Sequence, residues 1–270
     1  MIPTSGLPAP LALKLIDRSR DRFEDAIQRD VQNAREIAAF RERVGGIQTV
    51  EDLVGDYEVY SFVMKAFDLE DQIFGKGMMR KILSSDSAEK GSLINKMTDN
   101  RFKSLHKAMG FTDGGQANPN TADPEWVESM VLRYTEQKLI NAQGAENALV
   151  GTVLHMRQKA PTLTTWYAVL GDKKMQDFFF TALGLPDGIK GTDLDRQVAT
   201  LQKKFDLETL NDPGVLDGLT RRYLAIGGAR QAQQNLATNP ILQLFGSSNA
   251  QTAVPQINLD GLAALKRSRY

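Results

Sequence analysis

His106 and His155 are the two histidines of this sequence, and imidazole is the side chain best suited to move protons near neutral pH. Neither has a second histidine, a cysteine or a triad pattern at helical spacing, so a zinc site or a Ser-His-Asp centre would need partners from remote segments. Both are expected to be ordinary residues on helix faces. The segment Gly75-Lys-Gly-Met-Met-Arg80 begins like a dinucleotide loop, but Arg80 stands where the third glycine belongs and no strand pattern precedes it. It reads as a helix start. Asp68-Leu-Glu-Asp71 clusters carboxylates without the glycine and terminal glutamate of a calcium loop, which leaves solvated charge or helix capping. No P-loop, Gly-x-Ser-x-Gly or His-Glu-x-x-His sequence occurs. With no cysteine, a disulfide, a thiolate metal site and a thiol nucleophile are excluded. The expectation is therefore no catalytic, cofactor-binding or metal residue, no cofactor, and a chain that is not an enzyme.

Charge balance narrows the partners. Lys and Arg number 33 and Asp and Glu also 33, so no net field draws phosphate backbones or anionic lipid. Protein partners are expected, and nucleic acid is not. The longest uncharged apolar stretches, such as Phe178 to Leu185, fall short of the roughly 20 residues that span a bilayer. At the start, Pro8 and Pro10 break the apolar run before Lys14 and no basic leader precedes it, so no cleaved signal is expected. That leaves the cytoplasm, or export through an apparatus that reads an uncleaved N-terminus.

The elements that would position these residues read as helices. Phe23, Ile27, Val31, Ala34 and Ala38 recur at three and four, predicting one long helix over 11–43 that Gly45-Gly46 ends. Thr49 and Asp52 form a capping box for the next helix, with Leu53, Tyr57, Tyr60, Met64 and Phe67 on one stripe. Helices follow at 76–84 and 99–110, then at 125–159 and at 163–183 with a break near Gly171-Asp172. One more carries Leu194, Val198, Leu201 and Phe205, and another opens at Asp212-Pro213 and stops at Gly227-Gly228. Alternating β-branched runs are missing, so the fold class is all-α. Residues 112–124 have the Gly, Pro and Asn content of a connector. This divides the chain into a first helical unit over 1–111, a linker over 112–124, a second unit over 125–228 and a C-terminal tail over 229–270. Within the tail, Asn239-Pro240 is expected to start a short apolar helix, and 257–270 a small amphipathic segment.

Sliding the sequence on itself by 116 positions aligns the two units from about 37 to 95. Arg41 meets Arg157, Asp56 meets Asp172, Phe62 meets Phe178, Leu69 meets Leu185, and Asn95 meets Asn211. Helical periodicity alone aligns apolar residues but does not align Arg, Asp and Asn. Two diverged copies of a multi-helix unit are therefore expected, with Tyr57, Tyr60, Phe62, Phe67, Trp166, Tyr167 and Phe178 to Phe180 forming core rather than a ligand pocket.

Phe40-Arg41 through Val50-Glu-Asp-Leu53, Ala66-Phe-Asp-Leu-Glu-Asp71, Arg80-Lys-Ile-Leu83 and Thr98-Asp-Asn-Arg-Phe-Lys103, ending at Ala108-Met-Gly-Phe111, resemble a bacterial family of unknown function, DUF1217. The likeness is good over about 35–111 and fainter over 150–227, where Gly184 replaces Asp68 and Asn211-Asp-Pro-Gly214 replaces the Thr-Asp-Asn-Arg element. Members of that family can carry more than one copy, and many of their genes lie among flagellar genes. The resemblance implies a flagellum-associated structural, assembly or accessory protein acting through helical surfaces. A cytoplasmic adaptor or export chaperone is the competing class, and an enzyme with a pocket between the copies a third.

Overall fold

Asp30 decides the shape of the N-terminal region. A computed structural model describes residues 4–238, and in it the segment expected as one long helix is three: α1 (Ala9–Arg18), α2 (Arg20–Arg29) and α3 (Val31–Arg43). Asp30 leaves helical geometry at φ −58° and ψ 135°, and its carboxylate accepts the amides of Gln32 and Asn33 to cap α3. The break shifts the buried stripe. Phe23 and Ile27 stay inside, Val31 is 66% exposed, and Ile37 and Phe40 take over as the buried face of α3. The expected stripe through Val31, Ala34 and Ala38 is thus wrong past Ile27, because a capped break resets the helical phase.

The same logic operates further on. Thr49 and Asp52 form the expected capping box at the head of α4 (Val50–Gly55), but Asp56 then caps a separate α5 (Tyr57–Ala66). Tyr57 is consequently exposed, while Tyr60, Met64 and Phe67 are buried. The next helices are α6 (Lys76–Leu83), α7 (Leu93–Lys96) and α8 (Asn100–Met109), with Asp99 capping the last. The helix expected over 125–159 is likewise two, α9 (Pro124–Glu146) and α10 (Ala148–Lys159), because Asn147 leaves helical geometry and caps α10. The two pack against each other. Gly151 lies so close to Gly144 that a Cβ at 151 would overlap the Gly144 backbone.

Four helices complete the series: α11 (Trp166–Leu170), α12 (Lys173–Ala182), α13 (Leu194–Lys204) and α14 (Pro213–Thr238). α14 does not stop at Gly227-Gly228. A Cβ at 227 would lie 2.7 Å from Leu149 Cδ2, so Gly227 admits a close neighbour instead of ending the helix. Among the described residues there is no strand, only an isolated bridge between Thr112 and Ala117, and the fold is all-α. No described helix is long and apolar enough to cross a membrane. Residues up to Gly228 form one compact unit, and a second begins at Ala229. The tail segments expected at 239–245 and 257–270 lie outside the described residues.

Two cores share α9. The first gathers Ile37 to Met109 with Met130, Val131 and Tyr134 from the front of α9. The second gathers Leu139 and Ile140 from its rear with residues 150–224, and adds Ala12, Leu13, Ile16, Phe23 and Ile27 from α1 and α2. The cores therefore cut the chain differently from the spans 1–111 and 125–228. At 1.5 Å per residue, α9 is about 35 Å long, enough to thread one core and then the other. Residues 112–124 are packed rather than loose: Gly115 and Asn118 are buried, and the Thr121 hydroxyl donates to the Ile47 carbonyl at 2.8 Å.

Several local features recur at the 116-residue spacing. The 3-10 turns at 44–46 and 160–162 correspond, as do α5 and α12. Thr165 accepts the Ala168 amide as Thr49 accepts that of Asp52. Asp172 caps α12 as Asp56 caps α5. Both of those helices end in a left-handed residue, Asp68 at φ 60° and Gly184 at φ 64°. The closing bonds match too, Leu69 N–H to the Met64 carbonyl at 2.9 Å and Leu185 N–H to the Phe180 carbonyl at 2.8 Å.

Candidate functional site

α8 places Asn100, Lys103, Ser104 and Lys107 on one stripe, at the three-and-four spacing that aligns side chains along a helix. Opposite runs the turn from Lys159 through Thr165 to the start of α12. Between them lies a cleft of about 420 Å³. Its apolar wall is Leu163, Ala168 and Met175.

Four cationic side chains line it, Arg101, Lys103, Lys107 and Lys159, against two carboxylates, Asp99 and Asp172. Both carboxylates are already engaged. Asp99 accepts the Arg101 amide at 2.9 Å and its guanidinium Nε at 2.9 Å and Nη2 at 2.8 Å. Asp172 Oδ1 accepts the amides of Lys174 and Met175, and Oδ2 lies 2.6 Å from His155 Nε2. Burial by itself would raise the Asp172 carboxyl, but the His155 hydrogen bond and charge, the Met175 amide and Lys159 outweigh it and hold the carboxyl below its usual range.

Arg101 is the structural hub on the α8 side. It binds Asp99, donates to the Asp68 carbonyl, and reaches Asp71 at 3.4 Å. In the Asp68-Leu-Glu-Asp71 segment, Asp68 thus engages Arg101 through its backbone carbonyl and Asp71 through its carboxylate, while the Asp68 carboxylate approaches Lys174 at 3.8 Å. Lys103, Lys107 and Lys159 differ from Arg101. Among the described residues none of the three ammonium groups has a hydrogen-bond or ion-pair partner.

Lys159 is the unusual one, because it is also half-buried. Burial pulls its ammonium below the ordinary lysine range and Arg133 and Arg101 act in the same sense, while Asp172 and Asp68 oppose them. Arg133 is itself depressed by burial, with its guanidinium 4.2 Å from the centre of the Phe67 ring and Nε buried without a partner. The 116-residue spacing makes the contrast sharper. Arg43 occupies the position equivalent to Lys159 and pairs with the equivalent aspartate, Asp56, at 2.7 Å. At Asp172 the place of that cation is taken by His155.

Sequence reading missed this arrangement. His155 was expected on an ordinary helix face but is 1% exposed and bound to a carboxylate 17 positions away. His106 does sit on a helix face, with Nε2 2.8 Å from the Ser85 carbonyl. Gly75 precedes α6 as a helix start. A second feature lies beside it: Phe74 is 93% exposed, and Met78 at 37% folds back so that its Cε lies near Gly75. Among the described residues no group of three or more His, Asp or Glu could hold a metal ion.

Comparison with known proteins places the cleft and the Phe74 corner inside one matched segment. A family model described as Protein of unknown function (DUF1217) matches residues 66–216, which is over half the chain and spans both cores. The crystal structure of protein AGR_C_984 from Agrobacterium tumefaciens is similar to this chain with a TM-score of 0.72 and 26% identity, over 84% of this chain and 96% of that one. No curated protein matches the sequence.

Proposed function

Because the chain belongs to the DUF1217 family of proteins of unknown function, we propose that it works through its helical surfaces, as a non-enzymatic structural, assembly or accessory protein of the bacterial flagellum. The observation that carries the interaction reading is Phe74. A phenyl ring 93% exposed, with partly exposed Met78 four positions on, leaves apolar surface in water at the head of a helix anchored by buried Met79, Ile82 and Leu83. Aromatic side chains, Phe among them, are enriched at protein interfaces relative to the rest of the surface. The flagellar setting rests on the gene neighbourhood that the family resemblance implies. The matched local features at the 116-residue spacing support descent from a duplicated unit.

The test is a deletion strain complemented with wild-type or Phe74→Ser protein. Loss of motility on deletion, restored by the wild type and not by Phe74→Ser at equal abundance, is expected. Normal swimming and normal filaments in the deletion strain would overturn the proposal. Fractionation of cells with and without the flagellar secretion apparatus separates an exported component from a cytoplasmic adaptor or export chaperone.

A further inference from the structure

We propose that the cleft between α8 and the 159–175 segment binds a small phosphate-bearing molecule, with Lys103, Lys107 and Lys159 compensating its charge.

Three observations converge on this ligand class. The first is the donor capacity left over: both carboxylates in the cleft have hydrogen-bond partners of their own, whereas the three lysines have none among the described residues. An ammonium has three donors and no acceptor, so three such groups call for a ligand rich in acceptors. Phosphate offers three acceptor oxygens and close to two negative charges at neutral pH, whereas a single carboxylate would leave most of the positive charge unmatched.

The second is the position of Lys159. Lys159 is half-buried without a hydrogen-bond or ion-pair partner among the described residues, and burial with Arg133 and Arg101 outweighs the more distant charges of Asp172 and Asp68, so its ammonium is only partly compensated. The equivalent Arg43 avoids this by pairing with Asp56. His155, by occupying Asp172, leaves Lys159 free for a ligand.

The third is size and remaining chemistry. About 420 Å³ suits a small molecule rather than a protein segment. Ser104, Thr164 and Thr165 add hydroxyls that can donate to further oxygens, and Leu163, Ala168 and Met175 give an apolar wall for the rest of the molecule. This site is separate from the Phe74 surface and stands or falls independently of it.

The experiment uses the full chain with pyrophosphate, inorganic phosphate and citrate as probes, each at matched ionic strength. Calorimetry and thermal unfolding are expected to show saturable binding of pyrophosphate that sodium chloride does not reproduce, weaker binding of phosphate, and little of citrate. Lys159→Met is expected to weaken pyrophosphate binding at least tenfold. The double variant Lys103→Ala/Lys107→Ala, at exposed positions where folding is not at risk, should weaken it comparably, and Lys81→Ala on α6 should leave it unchanged. Amide resonance shifts on titration should centre on Ser104, Thr164 and Thr165. Stabilisation no greater than that from salt, wild-type affinity in both lysine variants, or tighter binding of citrate than of pyrophosphate would each overturn the proposal.

Discussion

His155 Nε2 lies 2.6 Å from Asp172 Oδ2, and the imidazole is almost wholly buried while the carboxylate also caps α12. One aspartate thus closes a helix end and holds one nitrogen of a buried ring, whose Nδ1 has no hydrogen-bond partner among the described residues. Replacing Asp172 with Ala removes both roles. A lost N-cap costs about 1 kcal/mol, and an orphaned buried polar group about 1 to 3 kcal/mol more. Urea unfolding of Asp172→Ala should show a loss of about 2 to 4 kcal/mol, and a change under about 0.5 kcal/mol would refute the linkage.

That contact also has a pH signature. The Asp172 carboxyl is held below its ordinary range in the folded chain, so its contribution is fully present above the unfolded carboxylate pKa of about 4 and fades as pH falls through the folded value. The stability gap between wild type and Asp172→Asn should therefore narrow on acidification below about pH 4. A gap that stays constant down to pH 2 would contradict the assignment.

Lys159 predicts the opposite sign of stability change. Its ammonium is depressed, so the folded state bears a penalty at neutral pH that is relieved as pH rises through the folded value toward about 10.4. Lys159→Met keeps the stem and removes the charge. It should raise stability at pH 7, with the gain shrinking in alkaline solution. Thermal melts of the ligand-free protein at pH 7 and pH 10 read this directly, and a destabilised variant at pH 7 would refute it.

The helix hairpin of α9 and α10 supplies an asymmetric pair. Gly151→Ala would drive a Cβ into the Gly144 backbone, whereas a Cβ at 144 meets Gly151 Cα at 3.5 Å, an ordinary contact. Gly151→Ala should cost about 2 kcal/mol or more through overpacking, while Gly144→Ala should be neutral or gain up to about 1 kcal/mol of helix propensity. Equal effects at the two sites, measured by chemical unfolding, would show that the close approach is not what fixes the hairpin.

Asp68 and Gly184 share a left-handed backbone, and a Cβ at 184 would meet nothing within 4 Å. The cost of Gly184→Ala is therefore conformational, about 1 kcal/mol. Asp68→Gly relieves that strain and gives up a 3.8 Å approach to Lys174 and a longer-range charge on Arg101 and Lys159, so its net effect should lie near zero. A large loss in Asp68→Gly would mean that the Lys174 contact matters far more than its length suggests.

Local interactions were legible without coordinates. The all-α class, the Thr49 and Asp52 capping box, the Asp99 cap, the break near Gly171-Asp172 and the buried Met79, Ile82, Phe102 and Leu105 all depend on residues within one or two helical turns of each other. Periodicity and capping chemistry carry that range. It also explains the errors: Asp30, Asp56 and Asn147 each had the chemistry of an N-cap inside an apparently continuous stripe, and a strict three-and-four count passes over a break that shifts the phase without ending it.

What the tertiary structure alone decided was the meeting of distant residues. The sharing of α9 between two cores, with α1 and α2 contributing to the second, follows from which apolar faces find each other across more than a hundred positions. The cleft has the same origin. Lys103 and Lys159 are unremarkable surface cations in sequence, and Asp172 looks like any other cap. Only three-dimensional packing shows that His155 takes the carboxylate, that Lys159 is half-buried with no ion-pair partner among the described residues, and that two lysines of α8 line the same space. Charge compensation depends on distance through space, and no spacing along the chain encodes it.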